Sequence, residues 1–204
     1  MMVRVTDDPR ADPAAPPVDG RAPQETAATG HPGRSRAIVA VLPVVALVIL
    51  VADLVTKIIV VATIDPGRPV HVIGDTVTLR LVRNSGAAFS FATGYTWVLT
   101  IVAAAVVVGI IRFSGRLRSV WWAVGLGLVL GGAIGNLVDR FFRSPGPLRG
   151  HVVDFVSVGW WPVFNVADSA VVCGAVLLVA LTVFGVEIDG TRSAGRDRSG
   201  SADA

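Results

Sequence analysis

The sequence predicts an all-α membrane protein: four transmembrane helices with a small extracytoplasmic β-structure. Three observations predict it. Hydrophobic residues make up 52% of the 204 residues and charged residues only 16%, where a soluble domain carries about 25% charged residues. The apolar residues gather into four runs, each near the roughly 20 residues a helix needs to cross a ~30 Å hydrocarbon core. Polar stretches stand at both ends of the chain. This composition excludes a chain disordered throughout, a disulfide-stapled secreted domain and an ordinary cytosolic enzyme.

Residues 1–36 hold six prolines, scattered Asp and Arg, and no aliphatic run. Such a segment buries too little apolar surface to offset its ordering entropy, so a disordered tail is expected. No basic start followed by a short apolar stretch and a cleavage site marks a signal peptide. The membrane core is expected at 37–186. The first span is read at 37–62, interrupted by Pro43, Asp53 and Lys57. Pro43 lies near its start, where proline begins or kinks a helix. The second span is read at 93–111, with no charge between Arg83 and Arg112. The third is read at 119–138, uncharged between Arg118 and Asp139. Its glycines, Gly125, Gly127, Gly131, Gly132 and Gly135, are read as helix-packing contacts. The fourth is read at 166–186, uncharged between Asp168 and Glu187. A second disordered polar tail is expected at 187–204.

The connection between spans 1 and 2 is long. Within it Thr76-Val-Thr-Leu-Arg-Leu81 alternates with period 2, a strand signature. Gly74-Asp75 before it reads as a turn. The β-structure is therefore expected at about 66–92, on the outer face. The outer loop at about 140–163 carries Pro145, Gly146 and Pro147, then Trp160 and Trp161, which suit the membrane interface.

Four spans put both tails on one side, together with the short connection between spans 2 and 3. That connection packs Arg112, Arg116 and Arg118 into seven residues with no acid among them. Arg34, Arg36 and Arg192 lie on the same side. The positive-inside rule makes this side cytoplasmic. Arginines at the edges of apolar runs fit lipid headgroups and topology; no nucleic-acid partner is expected. Cys173 is single and lies in an apolar run, and His71 and His151 are isolated in loops. There is no CxxC and no Cys/His cluster, so no metal site is expected.

Topology then makes the polar residues converge. The exits of spans 1 and 3 and the entry of span 4 face the same side. Asp53 and Lys57, then Asn136, Asp139 and Arg140, then Asn165 and Asp168, all lie at those ends. Asp154 lies in the loop joining spans 3 and 4, and Asn84 at the end of the loop joining spans 1 and 2. A carboxylate at the centre of a spanning helix costs about 2.5–3.5 kcal/mol on insertion scales. A cluster at one depth therefore points to a site. Asp53 and Lys57 are spaced i, i+4 and read as a structural ion pair. Asp139 next to Arg140 reads as a second pair. Asp154 and Asp168 have no basic neighbour. Two carboxylates held close in a desolvated site share one proton, and such a pair can activate water and protonate a leaving group. The proton path of a small transporter uses the same residue types, and a non-enzymatic assembly factor is a third reading. The transporter predicts carboxylates at several depths.

Five motifs occur in order: Asp53-Leu-Val-Thr-Lys57, Asn84-Ser-Gly-Ala-Ala-Phe89, Gly131-Gly-Ala-Ile-Gly-Asn-Leu-Val-Asp-Arg140, Val152-Val-Asp-Phe155 and Phe164-Asn-Val-Ala-Asp-Ser169. Together they resemble lipoprotein signal peptidase, the signal peptidase II family of bacterial membrane aspartic peptidases. The resemblance covers about 37–186. It implies four transmembrane helices with a small β-cradle and a short helical arm on the outer face. It implies an endopeptidase that cuts the signal peptide from a prolipoprotein just before the diacylglyceryl-modified cysteine of the lipobox. It carries the catalytic pair onto Asp154 and Asp168. Roles in lining or bracing the substrate pocket fall on Asn84, Gly86, Asn136, Asp139, Arg140, Asn165 and Ala167. Asp53 and Lys57 match a family motif as a structural pair. No cofactor is implied. The implied partners are the lipid-modified substrate and membrane lipid, for a monomer in the bacterial cytoplasmic membrane. The family is the target of the cyclic peptide antibiotic globomycin. The proline-rich tail lies outside the family core, and 14 residues separate Asp154 from Asp168.

Overall fold

The structure is a computed structural model that describes residues 32–86 and 96–192, with the backbone alone over 32–39. Helix α1 runs Pro32–Thr63, strand β1 Val70–Ile73 and strand β2 Val77–Asn84. Helix α2 follows at Thr96–Phe113, then a single 3-10 turn at Ser114–Arg116. Helix α3 runs Val120–Phe142, strand β3 Val152–Val158 and helix α4 Val166–Val183. Four segments are long and apolar enough to span a membrane: Ala40–Thr63, Thr96–Arg116, Val120–Phe142 and Val166–Val183. Helix α1 begins at Pro32, a residue suited to a first helical turn. It thus takes in 32–36, which composition alone assigns to the tail. Residues 1–31 and 193–204 lie outside the described residues.

Helix α3 packs against α1, α2 and α4, and its glycines set the spacing. A Cβ at Gly127 would stand 2.9 Å from the Leu42 carbonyl oxygen of α1, and one at Gly131 would stand 2.6 Å from that of Ala46. Towards α4, a Cβ at Gly125 would come within 2.8 Å of Leu178, and one at Gly132 would meet the Ala167 carbonyl. Gly174 of α4 answers in kind, 2.7 Å from the Gly125 carbonyl oxygen. Lipid gives apolar helices no hydrophobic reason to associate, so close backbone approach through small residues supplies the packing. Helix α2 buries only Thr96, Thr100 and Ile110.

The three strands form one antiparallel sheet in the order β1-β2-β3. β2 matches the alternating stretch and extends it to Asn84. β3 lies in the connection between spans 3 and 4, where Asp154 is expected, and is a strand the sequence reading does not assign. Val152–Val158 is rich in β-branched residues, but its first four residues are all buried, so no period-2 pattern marks it. Val153 and Phe155 of β3 pack with Val60 and Ile64 at the end of α1, and Leu79 and Leu81 of β2 join them. This small core seats the sheet on the helix ends. The helical arm implied by the resemblance is not among the helices of the described residues; 87–95 lie outside them.

At the opposite end the chain folds back after α4. The Trp122 indole N–H donates to the Val186 carbonyl at 2.9 Å. The Arg118 and Ser119 amides donate to the Ile188 carbonyl at 3.1 and 3.0 Å. Residues 187–192, expected in the tail, thus form a turn held at the start of α3.

Candidate active site

The site lies where α1 and α3 end, α4 begins and the sheet is seated. On α1, Asp53 and Lys57 stand one turn apart and are both 0% exposed. The Lys57 ammonium lies 2.7 Å from Asp53 Oδ2 and 2.9 Å from Asp139 Oδ2. It also donates to Asn136 Oδ1 at 3.1 Å. Asp53 Oδ2 meets the ammonium as an ion pair without a hydrogen bond of good geometry. Space for the Asp53 carboxylate comes from α3: a Cβ at Gly135 would lie 2.6 Å from its Oδ2. Asp53 Oδ1 accepts from the Ala167 amide at 3.0 Å, so a carboxylate of α1 satisfies an orphan donor in the first turn of α4.

Asp139 pairs with Lys57 and with Arg143. Its Oδ2 also accepts from the Val153 amide at 3.1 Å, which ties β3 to α3. The expected Asp139–Arg140 pair is not formed. Adjacent residues on a helix do not face each other, and Arg140 turns its guanidinium towards the Gly150 carbonyl, 3.5 Å away. Gly150 is itself wedged against α3, where a Cβ would stand 2.9 Å from the Arg140 Cα. Gly86 has φ +90°, a conformation that favours glycine. Its amide donates to Asn84 Oδ1 at 2.8 Å.

These supports converge on two carboxylates. Asp154 is 2% exposed. Its Oδ2 accepts from Asn84 Nδ2 at 2.9 Å and its Oδ1 from Asn165 Nδ2 at 2.7 Å. Asp168 Oδ1 accepts from Asn136 Nδ2 at 2.8 Å, and its Oδ2 from the Asn165 main-chain amide at 3.2 Å. Each of the four oxygens therefore accepts one N–H and keeps a further lone pair for a proton or water. Asn165 touches both carboxylates. It also caps α4, its Oδ1 accepting from the Asp168 amide at 2.8 Å in a reciprocal capping box. Burial pushes the Asp154 carboxyl up from 3.8 to about 6, the Asn84 hydrogen bond pulls it back, and the Asp168 charge adds to the rise.

The structure brings together Asp53, Lys57, Asn84, Gly86, Asn136, Asp139, Arg140, Asp154, Asn165, Ala167 and Asp168. It adds Arg143, Gly150 and the Val153 amide, which the sequence reading does not single out. Sequence signals exist for the i, i+4 pairs Asp53–Lys57 and Asp139–Arg143, and for the α4 capping box, a capping residue and an acid three positions later in Asn165-Val-Ala-Asp168. Asn84, Asn136 and Asn165 each donate a side-chain N–H to one of the two aspartates.

The fold and this cluster define a multi-pass membrane protein with a buried carboxylate centre at one end of its helices. The profile of the family described as Signal peptidase (SPase) II matches residues 45–184. The chain is 71% identical over 149 residues to a lipoprotein signal peptidase of Rhodococcus jostii, covering 73% of this chain and 75% of that one. It is 61% identical over 199 residues to one of Mycolicibacterium smegmatis, covering 97% and 83%. Two solved structures described as bacterial membrane enzymes share the fold. One is 28% identical with TM-score 0.59, covering 74% of this chain and 94% of that one. The other is 25% identical with TM-score 0.60, covering 85% and 94%. The chain belongs to the signal peptidase II family and is a peptidase.

Proposed function

We propose that this chain removes the signal peptide from prolipoproteins as an aspartic endopeptidase, with Asp154 and Asp168 as its catalytic pair. The cut falls before the diacylglyceryl-modified cysteine of the lipobox. One observation carries the reading: a buried carboxylate, Asp154, and a half-buried one, Asp168, are joined through Asn165 and have all four oxygens oriented by N–H donors. That geometry favours a pair sharing one proton over two separate structural acids. Asp53 and Asp139, by contrast, face Lys57 and Arg143, as structural acids do.

The ionised member takes a proton from a water molecule, whose oxygen attacks the scissile carbonyl carbon. The protonated member polarises the carbonyl oxygen. Collapse of the tetrahedral species breaks the peptide C–N bond, and the leaving amine takes a proton from the pair. The products are a signal peptide ending in a carboxylate and a lipoprotein beginning with an amine. Base and acid roles belong to the pair and not to either residue alone.

The apolar spans admit the signal-peptide helix and the acyl chains from the lipid. The site lies at the outer face of the cytoplasmic membrane, with both termini in the cytoplasm as the arginine distribution favours. All the site residues come from one chain, in keeping with a monomer. The experiment is cleavage of a diacylglyceryl-modified prolipoprotein by purified protein in detergent. Asp154→Asn and Asp168→Asn are each expected to lower the rate at least a thousandfold while remaining folded. Cleavage at the wild-type rate by either variant would sink the assignment.

A further inference from the structure

We propose that Lys57 is a positioning residue for the catalytic pair: it fixes which end of the Asn136 side-chain amide faces Asp168. The inference rests on the assignment of Asp154 and Asp168 as that pair. The two ends of an asparagine amide are almost equal in size, so sterics do not choose between them; donors and acceptors do. Lys57 Nζ can only donate, and it lies 3.1 Å from Asn136 Oδ1. Asn165 Nδ2 approaches the same oxygen at 3.3 Å. Turning the amide over would set two N–H groups against these donors and an oxygen against the Asp168 carboxylate. With Lys57 in place, Asn136 Nδ2 is committed to Asp168 Oδ1 at 2.8 Å.

Lys57 is itself held. Asp53 and Asp139 stand at 2.7 and 2.9 Å, and the side chain is 0% exposed. Among the described residues, the charged and titratable groups around the centre are Asp53 and Lys57 on α1, Asp139 and Arg140 on α3, Arg143 at its end, Asp154 on β3 and Asp168 on α4. Of these, Lys57 is the cation that hydrogen-bonds an asparagine bound to the pair. The α1 pair therefore does more than neutralise itself: its ammonium sets the polarity of a hydrogen bond on a catalytic carboxylate.

The test compares pH–rate profiles of wild type, Lys57→Met, Asn136→Ala and the double variant, with Asp168→Asn alongside. Losing the Asn136 donor on Asp168 makes the pair easier to protonate. Lys57→Met is expected to move the whole profile to higher pH by about one unit. It should lower kcat about tenfold or more and leave KM within about twofold. In the Asn136→Ala background the same change should move the profile little further. Asp53→Asn/Lys57→Met keeps the local charge balanced and should show the same displacement; it serves if Lys57→Met does not fold. A kcat loss with an unmoved profile, or equal displacements with and without Asn136, overturns the role of Lys57 and leaves the catalytic pair standing. Wild-type cleavage by Asp168→Asn removes the pair and this inference with it.

Discussion

A carboxyl that titrates at about 6 in the folded chain and near 3.8 unfolded makes Asp154 a residue with a measurable pH signature. Between those values the folded chain holds a proton that the unfolded chain has released. Stability from this group is therefore complete below about pH 4 and is lost as pH rises through about 6. The full loss is at most about 3 kcal/mol. Thermal unfolding in detergent should give a lower midpoint at pH 7 than at pH 5, and Asp154→Asn should flatten that slope. Gly135 carries a second prediction. Its missing Cβ makes room for the Asp53 carboxylate, so Gly135→Ala should cost about 1–3 kcal/mol and lower the same midpoint. At this scale much of the site was legible. Counting spans put every polar residue of the site at one end of the helices. The i, i+4 pair of Asp53 and Lys57 was legible, but the partners of Asp139 were not. Asp139 finds its cations at Lys57, 82 positions earlier, and at Arg143, one turn on, whereas the sequence reading pairs it with Arg140 on the wrong face of the helix. Hydrogen bonds between asparagine amides and carboxylates depend on rotamers, which no local pattern records.

Among the elements, β3 is the one that positions chemistry without announcing itself. Its alternation vanishes because Val153 and Phe155 pack on the end of α1 while Asp154 is buried against Asn84 and Asn165. The spanning helices were legible because lipid imposes length and polarity on them together. Helix α2 shows how thin a helix's attachment can be. Its polar grip consists of Thr96 Oγ1 on the Ser85 carbonyl at 2.6 Å and Thr100 Oγ1 on the Leu148 carbonyl at 2.9 Å. These fasten α2 to the ends of two segments that border the site. Thr100→Val keeps the volume and removes the second fastening. It should cost about 1 kcal/mol and raise amide exchange around residues 146–150 more than around α3.

For the whole molecule, the four spans of the described residues bring the start of α1 and the end of α4 to one end of the helices, with the sheet at the other, the end proposed to face outwards. Single cysteines in a Cys173→Ser background test this. Ser144→Cys should react with an impermeant thiol reagent in intact cells, and Gly115→Cys only after the membrane is opened. The opposite pattern would invert the protein and move the site to the inner face. The i, i+4 spacing of Asp53 and Lys57 bears on biogenesis as well. A salt bridge within one helix exists as soon as that helix forms. Helix α1, translated ahead of α3 and α4, can therefore carry the buried pair into lipid as an internally neutral unit before they have been synthesised. Asp139 and Asn136 arrive later and find the ammonium already in place. The order of translation is thus also an order of assembly, in which the cation is delivered first and the carboxylates it organises are docked around it.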